Sequence, residues 1–150
     1  MPELLNGFSE WNLLTDTASV LKTQVVYVIR AIDGDRKPIE INRARSKDSD
    51  GILNVGSGKG RCRLGKLATS FSSLKTAKDW NRWTHHQLAL WCLKYNFSEL
   101  LGLQKINAEN IEYCWIAAPD SKSARAKEKE TILIYKSIYA DIPIGNLKSW

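Results

Sequence analysis

GILNVGSGKGRCRLGKL, Gly51 to Leu67, joins a short aliphatic run to three alternating glycines and then to a basic segment with helical character. The GILNV part reads as a strand, and one residue in it is out of place. Asn is a poor strand former, so the amide of Asn54 either faces solvent or stands where chemistry is done. Gly56, Gly58 and Gly60 free the backbone for a sharp turn, after which a helix is expected from about Arg61.

Working outward, QVVYVIRAI (Gln24–Ile32) is β-branched and aromatic throughout and predicts the main strand. The polar connection that follows holds Pro38 and reads as an insertion over 31–50, with an extended piece near Pro38–Ala44. The Asp50-Gly51 pair suits an antiparallel return of the second strand onto the first. NIEYCWIAA (Asn110–Ala118) predicts a third strand. Helices are expected near Glu10–Leu21 (within a helical extension over 1–22), from Arg61, from about Ala77–Trp80 to Tyr95, and over SARAKEKETILIYKSIY. The last has Ala124, Thr131, Ile132, Tyr135 and Ile138 as its inward stripe. The expected fold is one α+β domain over 1–150, a small central antiparallel sheet of about three strands flanked by helices.

The 150 residues are 43% hydrophobic, which suits a chain with a real core. No apolar run reaches the roughly 20 residues that span a bilayer, so no membrane partner is expected. MPELLNGFSEWNLL has no basic n-region and reads as no secretory signal. Cys62, Cys92 and Cys114 are odd in number and lack CxxC spacing, which argues against a zinc site and points to a reduced, cytoplasmic chain.

The net charge is +6, and its distribution is uneven. From Lys59 to Arg82 the chain carries Lys59, Arg61, Arg63, Lys66, Lys75, Lys78 and Arg82 against one acid, Asp79. Such a one-sign block is the footprint expected of a nucleic-acid binder; the plainer alternative is a solvated surface. Arg43, Arg45 and Lys47 extend the same charge into the insertion.

If the first two strands pair, Tyr27 and Asn54 can lie side by side, with Asn54 on the face of Ile52. The helix after the glycines brings Arg61 and Arg63, and the last helix brings Glu128 and Glu130, with Glu130 at the edge of the apolar stripe. A tyrosine, an arginine and a glutamate on one sheet face would suit phosphodiester hydrolysis. The phenol orients or activates water, the guanidinium meets the phosphate, and the carboxylate holds a hard divalent cation. Arg82 and His86 form a second candidate pair at i,i+4. His85 falls on an apolar stripe with Leu88 and Cys92, so His86 is the better catalytic candidate. Trp80 and Trp83 read as core residues that can alternatively stack on bases.

VVYVI, GILNVG, RCRLGKL and EKETILIYKSIYADIPIGN resemble, in that order, the motifs of the GIY-YIG nuclease family. The resemblance runs from Tyr27 to Trp150 and rests on the order of individually weak motifs. It implies roles for Tyr27, for Arg63 as the helix arginine, for Glu130 as the metal-binding glutamate and for Asn146 as the late asparagine. Asn54 stands where the family has its second tyrosine, and the first motif lacks its glycine. Arg63 has Leu67 one turn on, so a histidine role is filled only if His85 or His86 folds in. The implied activity is Mg²⁺- or Mn²⁺-dependent endonuclease cleavage of DNA, with Tyr27, Asn54, Arg63, His86 and Glu130 at the site. Lys59, Arg61, Lys66, Arg82 and Asn146 would contact nucleic acid, and a homodimer or partner chain would supply specificity. The competing expectations are a binding module of the same fold that has lost cleavage, and a protein-interaction domain using the basic face.

Overall fold

β2 (Gln24–Ala31) is the centre of the molecule, and every residue from Val25 to Ile29 is buried. A strand covered on both faces needs an unbroken apolar run, and VVYVI supplies one. The computed structural model describes residues 4–146. The start of the expected N-terminal extension and the end of the expected closing loop, 1–3 and 147–150, lie outside them. The fold is α+β. β1 (Asn12–Leu13), β6 (Ile111–Ala117), β2 and β5 (Ile52–Lys59) form an antiparallel sheet in the order β1-β6-β2-β5. β3 (Ile41–Asn42) and β4 (Lys47–Asp48) make a separate hairpin. α1 (Gly60–Ser73), α2 (Gln87–Lys94) and α3 (Phe97–Leu100) cover the face carrying Val25, Tyr27 and Ile29. α4 (Ser121–Tyr139) covers the face of Val26 and Val28 with Ala124, Ile132, Tyr135 and Tyr139.

The sheet has four strands where about three were expected, and the fourth comes from the segment read as a helical extension. Asn12 and Leu13 pair with Tyr113 and Glu112 instead of forming a helix. The sequence around them favours this: Asp16 accepts from Ala18 N–H in a side-chain turn, an alternative to helix that Asp and Thr offer locally. Leu14 and Val20 are fully buried, so the segment is part of the core.

Three further expectations are corrected. β5 runs on through Gly56 and Gly58 to Lys59, and the turn comes only at Gly60. A bulge between Ile29 and Arg30 pairings sets Arg30 opposite Ile52 and Ile29 opposite Asn54. One extra residue reverses the faces on either side of it, so Asn54 shares the face of Tyr27 while Ile52 packs under α4. The helix expected to Tyr95 from Ala77–Trp80 begins only at Gln87, with His86 as its N-cap. Ahead of it lie a 3₁₀ turn at Ala77–Asp79 and a turn built on Asn81. Arg82 and His86 are therefore not helix neighbours.

The 31–50 insertion is tied down. Arg43 bonds Ile142 O (2.6 Å) and pairs with Asp141, and Arg45 bonds Ser137 O (2.7 Å). Cations at the carbonyl end of α4 satisfy groups the helix leaves open. Asp48, fully buried, accepts from Tyr135 Oη (2.7 Å) and from the Ile52 amide. The arginines expected on a DNA loop thus anchor the hairpin to α4. Among the described residues no helix is long and apolar enough to cross a membrane, and Cys62, Cys92 and Cys114 are free thiols.

Candidate functional site

Tyr27 is 1% exposed and stands directly opposite Gly56 across the β2–β5 ladder. A Cβ at Gly56 would lie 2.5 Å from both Cζ and Oη of Tyr27. The phenol ring thus crosses the β5 backbone where only glycine leaves room. It lines a cleft of about 680 Å³ between α1, the start of α2 and α4.

Arg63 reaches this cleft from the first turn of α1. Its stem passes Gly58, where a Cβ would come within 2.9 Å of Arg63 Cγ. Its Nε is buried with no hydrogen-bond partner among the described residues. Of the three candidate arginines, Arg63 lines the cleft, Arg61 bonds Ala18 O (2.8 Å) and the Arg82 guanidinium lies over the Trp83 ring.

His86 does fold in from the next element. Its Nε2 lies 2.8 Å from Tyr27 Oη. Ser70 Oγ accepts its amide proton, and its Nδ1 accepts from Leu88 N–H (3.1 Å) as the cap of α2. Burial, then the charges of Arg63 and Lys66, lower its pKa to about 3, so the ring is neutral near pH 7. A neutral imidazole that accepts at Nδ1 carries its proton at Nε2. Hence His86 donates to Tyr27, and the phenol keeps its own proton for another acceptor. Burial raises the Tyr27 pKa. Arg63, by charge and by hydrogen bond, pulls it back, and Glu128 pushes it up again.

The carboxylate at the cleft is Glu128, not Glu130. The inward stripe of α4 holds Ala124, Thr131, Ile132, Tyr135 and Tyr139. Glu128 lies one turn after Ala124 and one before Ile132, in the middle of that stripe. Glu130 is about 200° around the axis. The Glu130 side chain is 58% exposed and pairs with Lys127 (3.2 Å). The signal was present in the sequence: a glutamate inside an apolar 3.6-residue period is the one with a reason to be there.

Asn54 lines the cleft and is 8% exposed. Its Nδ2 donates to Gly145 O (3.2 Å), which fixes the amide, and its Oδ1 is buried with no partner among the described residues. Asn146 also lines the cleft, but both ends of its amide serve the β5 backbone. Its Oδ1 accepts from Val55 N–H (2.8 Å) and its Nδ2 donates to Val55 O (2.8 Å). With the Gly145 amide on Leu53 O, the tail closes the open edge of β5. Asn146, expected to contact nucleic acid, thus lines the cleft with its amide bonded to β5. Lys59, Arg61, Lys66 and Arg82 do not line the cleft. Two wall elements were missed in the sequence: Arg125 on α4, and the i, i+4, i+8 stripe of Gln87, Trp91 and Tyr95 on α2.

The oxygen donors fit a hard cation. Glu128 and the orphaned Oδ1 of Asn54 face one cleft, and Mg²⁺ characteristically takes one or two protein oxygens and keeps waters for the rest. Among the described residues no three His, Cys, Asp or Glu side chains cluster as a closed site would need.

His86 makes the domain acid-sensitive. Between about pH 6.5, where the unfolded ring protonates, and about 3, where the native ring does, the unfolded chain binds the extra proton. Stability therefore falls as pH drops through this window, by on the order of a few kcal/mol. In His86→Asn, which keeps a capping acceptor, the melting temperature should decline less steeply from pH 7 to pH 4. Equal slopes would locate the acid sensitivity elsewhere.

No family model, curated protein or solved structure matches the chain.

Proposed function

We propose that the domain is a metal-dependent DNA endonuclease, in keeping with its resemblance to the GIY-YIG family. The observation that carries this reading is the phenol of Tyr27, held by the Nε2 proton of buried His86 beside the Arg63 guanidinium at an open cleft. In this reading the scissile phosphate enters between α1 and α4. Arg63, with its unpartnered Nε, takes the charge that grows on the phosphate oxygens. His86, neutral and donating, stabilises the Tyr27 oxygen as negative charge builds on it. Tyr27, whose own proton is uncommitted to His86, loses that proton to solvent at the open cleft and as the phenolate takes one from the attacking water, while the leaving oxygen takes its proton from solvent. Asn54 Oδ1 orients the water or shares the cation. Burial is the main cause of the raised Tyr27 pKa; a divalent cation on Glu128 would supply Lewis-acid charge and cancel the smaller rise that the carboxylate adds.

The second reading is a binding module with weakened cleavage. It is favoured by Asn54, whose amide is half committed to Gly145 and cannot serve as a phenolate. Supercoiled plasmid and branched DNA incubated in Mg²⁺, in Mn²⁺ and in EDTA separate the two. Nicking that needs the cation supports the nuclease. Salt-steep binding with no nicking in either metal supports the module.

A further inference from the structure

Trp83 is 75% exposed, the most exposed of the large hydrophobic side chains among the described residues. Four hydrogen bonds centred on Asn81 hold it out. Trp83 N–H bonds Asn81 Oδ1 (2.8 Å), Thr84 and His85 amides bond Asn81 O, and Asn81 N–H bonds His85 Nδ1 (2.8 Å). The Arg82 guanidinium lies 4.6 Å from the indole centroid. Trp80 does what a tryptophan there would ordinarily do: it packs on the core and donates Nε1 to His86 O (3.2 Å). Trp83, three residues on, makes no such contact with the core.

The same turn is joined to the cleft. Lys66, one turn after Arg63 on α1, donates to Arg82 O (3.1 Å), and its charge is felt at His86. Trp83 is three residues from His86, so their Cα atoms are at most about 11 Å apart. That is about three base-pair steps of duplex DNA, and fewer steps of an extended single strand. In the sequence from Lys66 to Arg82 the charges are Lys66, Lys75, Lys78 and Arg82 against Asp79, whose carboxylate accepts from Thr76 Oγ1.

We propose that Trp83, backed by Arg82, is a stacking platform for an unpaired DNA base within a few nucleotides of the cleaved phosphate. The inference rests on the nuclease reading and narrows its substrate to DNA with single-stranded or flapped segments. A turn fixed by hydrogen bonds presents the indole with little further backbone ordering cost, and base stacking on one aromatic side chain commonly changes affinity by about tenfold or more. A guanidinium on the indole and cations beside it attract the phosphates that flank the stacked base.

The test is fluorescence anisotropy with a labelled oligo-dT and a labelled blunt duplex, over a salt series, with wild type, Trp83→Ala, Trp83→Phe and Arg82→Ala. Wild type should bind oligo-dT more tightly than duplex. Trp83→Ala should erase that preference, by a loss of about tenfold on oligo-dT, with the salt slope kept. Trp83→Phe should recover most of it, and Arg82→Ala should instead flatten the slope by about one ion. Equal affinity of wild type and Trp83→Ala for oligo-dT, with both bound in a salt-steep manner, overturns the platform and leaves the nuclease reading standing. Salt-independent or absent binding of both oligonucleotides by wild type overturns the two together.

Discussion

Glu128→Gln abolishes cation-dependent nicking, and Glu130→Gln leaves it within about twofold. The expectation follows from the winding of α4. At 100° per residue the two positions lie on nearly opposite sides of the helix. Glu128 lines the cleft and its charge acts on Tyr27; Glu130 points to solvent and pairs with Lys127. Gln keeps the volume and removes the charge, so a hard cation loses its anionic ligand while packing is preserved. The loss should be at least about 10²-fold, the scale of removing one transition-state contact, and Arg63→Ala should match or exceed it. Arg61→Ala should cost little in rate, because its guanidinium serves the Ala18 carbonyl. Melting temperatures decide whether Glu128→Gln acts on chemistry or on folding. A dead Glu130→Gln beside an active Glu128→Gln would put the metal outside the cleft and overturn the site.

What the sequence revealed and what it hid differ by the range of the forces involved. β2, β6 and α4 were legible because their apolar periods are long and strong, and the observed bounds of Gln24–Ala31, Ile111–Ala117 and Ser121–Tyr139 follow those periods. Tyr27, Arg63 and His86 were legible as candidates and the fold brings them together. The bulge between the Ile29 and Arg30 pairings was not legible, since it depends on how β5 meets β2, and without it Ile52 is assigned to the face of Asn54. The start of α2 was hidden because histidine is an unusual cap; His86 acts as one only because Ser70 and Tyr27 hold its backbone and ring. The arginines of the insertion look like any basic loop until α4 is placed beside them. Glu128 is the opposite case. Its place in the apolar stripe was readable, and following the family motif led past it to Glu130.

Gly56→Ala should be strongly damaging to both fold and site. The new Cβ would sit 2.5 Å from the Tyr27 ring and hydroxyl, inside any contact that atoms tolerate. Neither side has an easy way out. Gly56 is paired in the ladder with Tyr27 itself, and Tyr27 is buried with its oxygen bonded to His86. Moving the ring breaks that bond inside a buried site, at about 1–3 kcal/mol. Overpacking adds about 1–3 kcal/mol more. The melting temperature should fall by roughly 5–20 °C for a chain of this size, and nicking should go with it because the phenol leaves its place. Gly65→Ala is the control. It lies within α1 with nothing within 4 Å of the added methyl. There alanine should stabilise by about 0.5–1 kcal/mol, through helix propensity alone. The Tyr27→Leu background identifies the cause. A shorter, ring-free side chain gives the methyl room, so Gly56→Ala should cost far less there than in wild type, and the double-mutant cycle should show strong coupling. Equal costs in both backgrounds would mean that the glycine serves the backbone of β5 and not the ring, and the geometry argued for Tyr27 would fall.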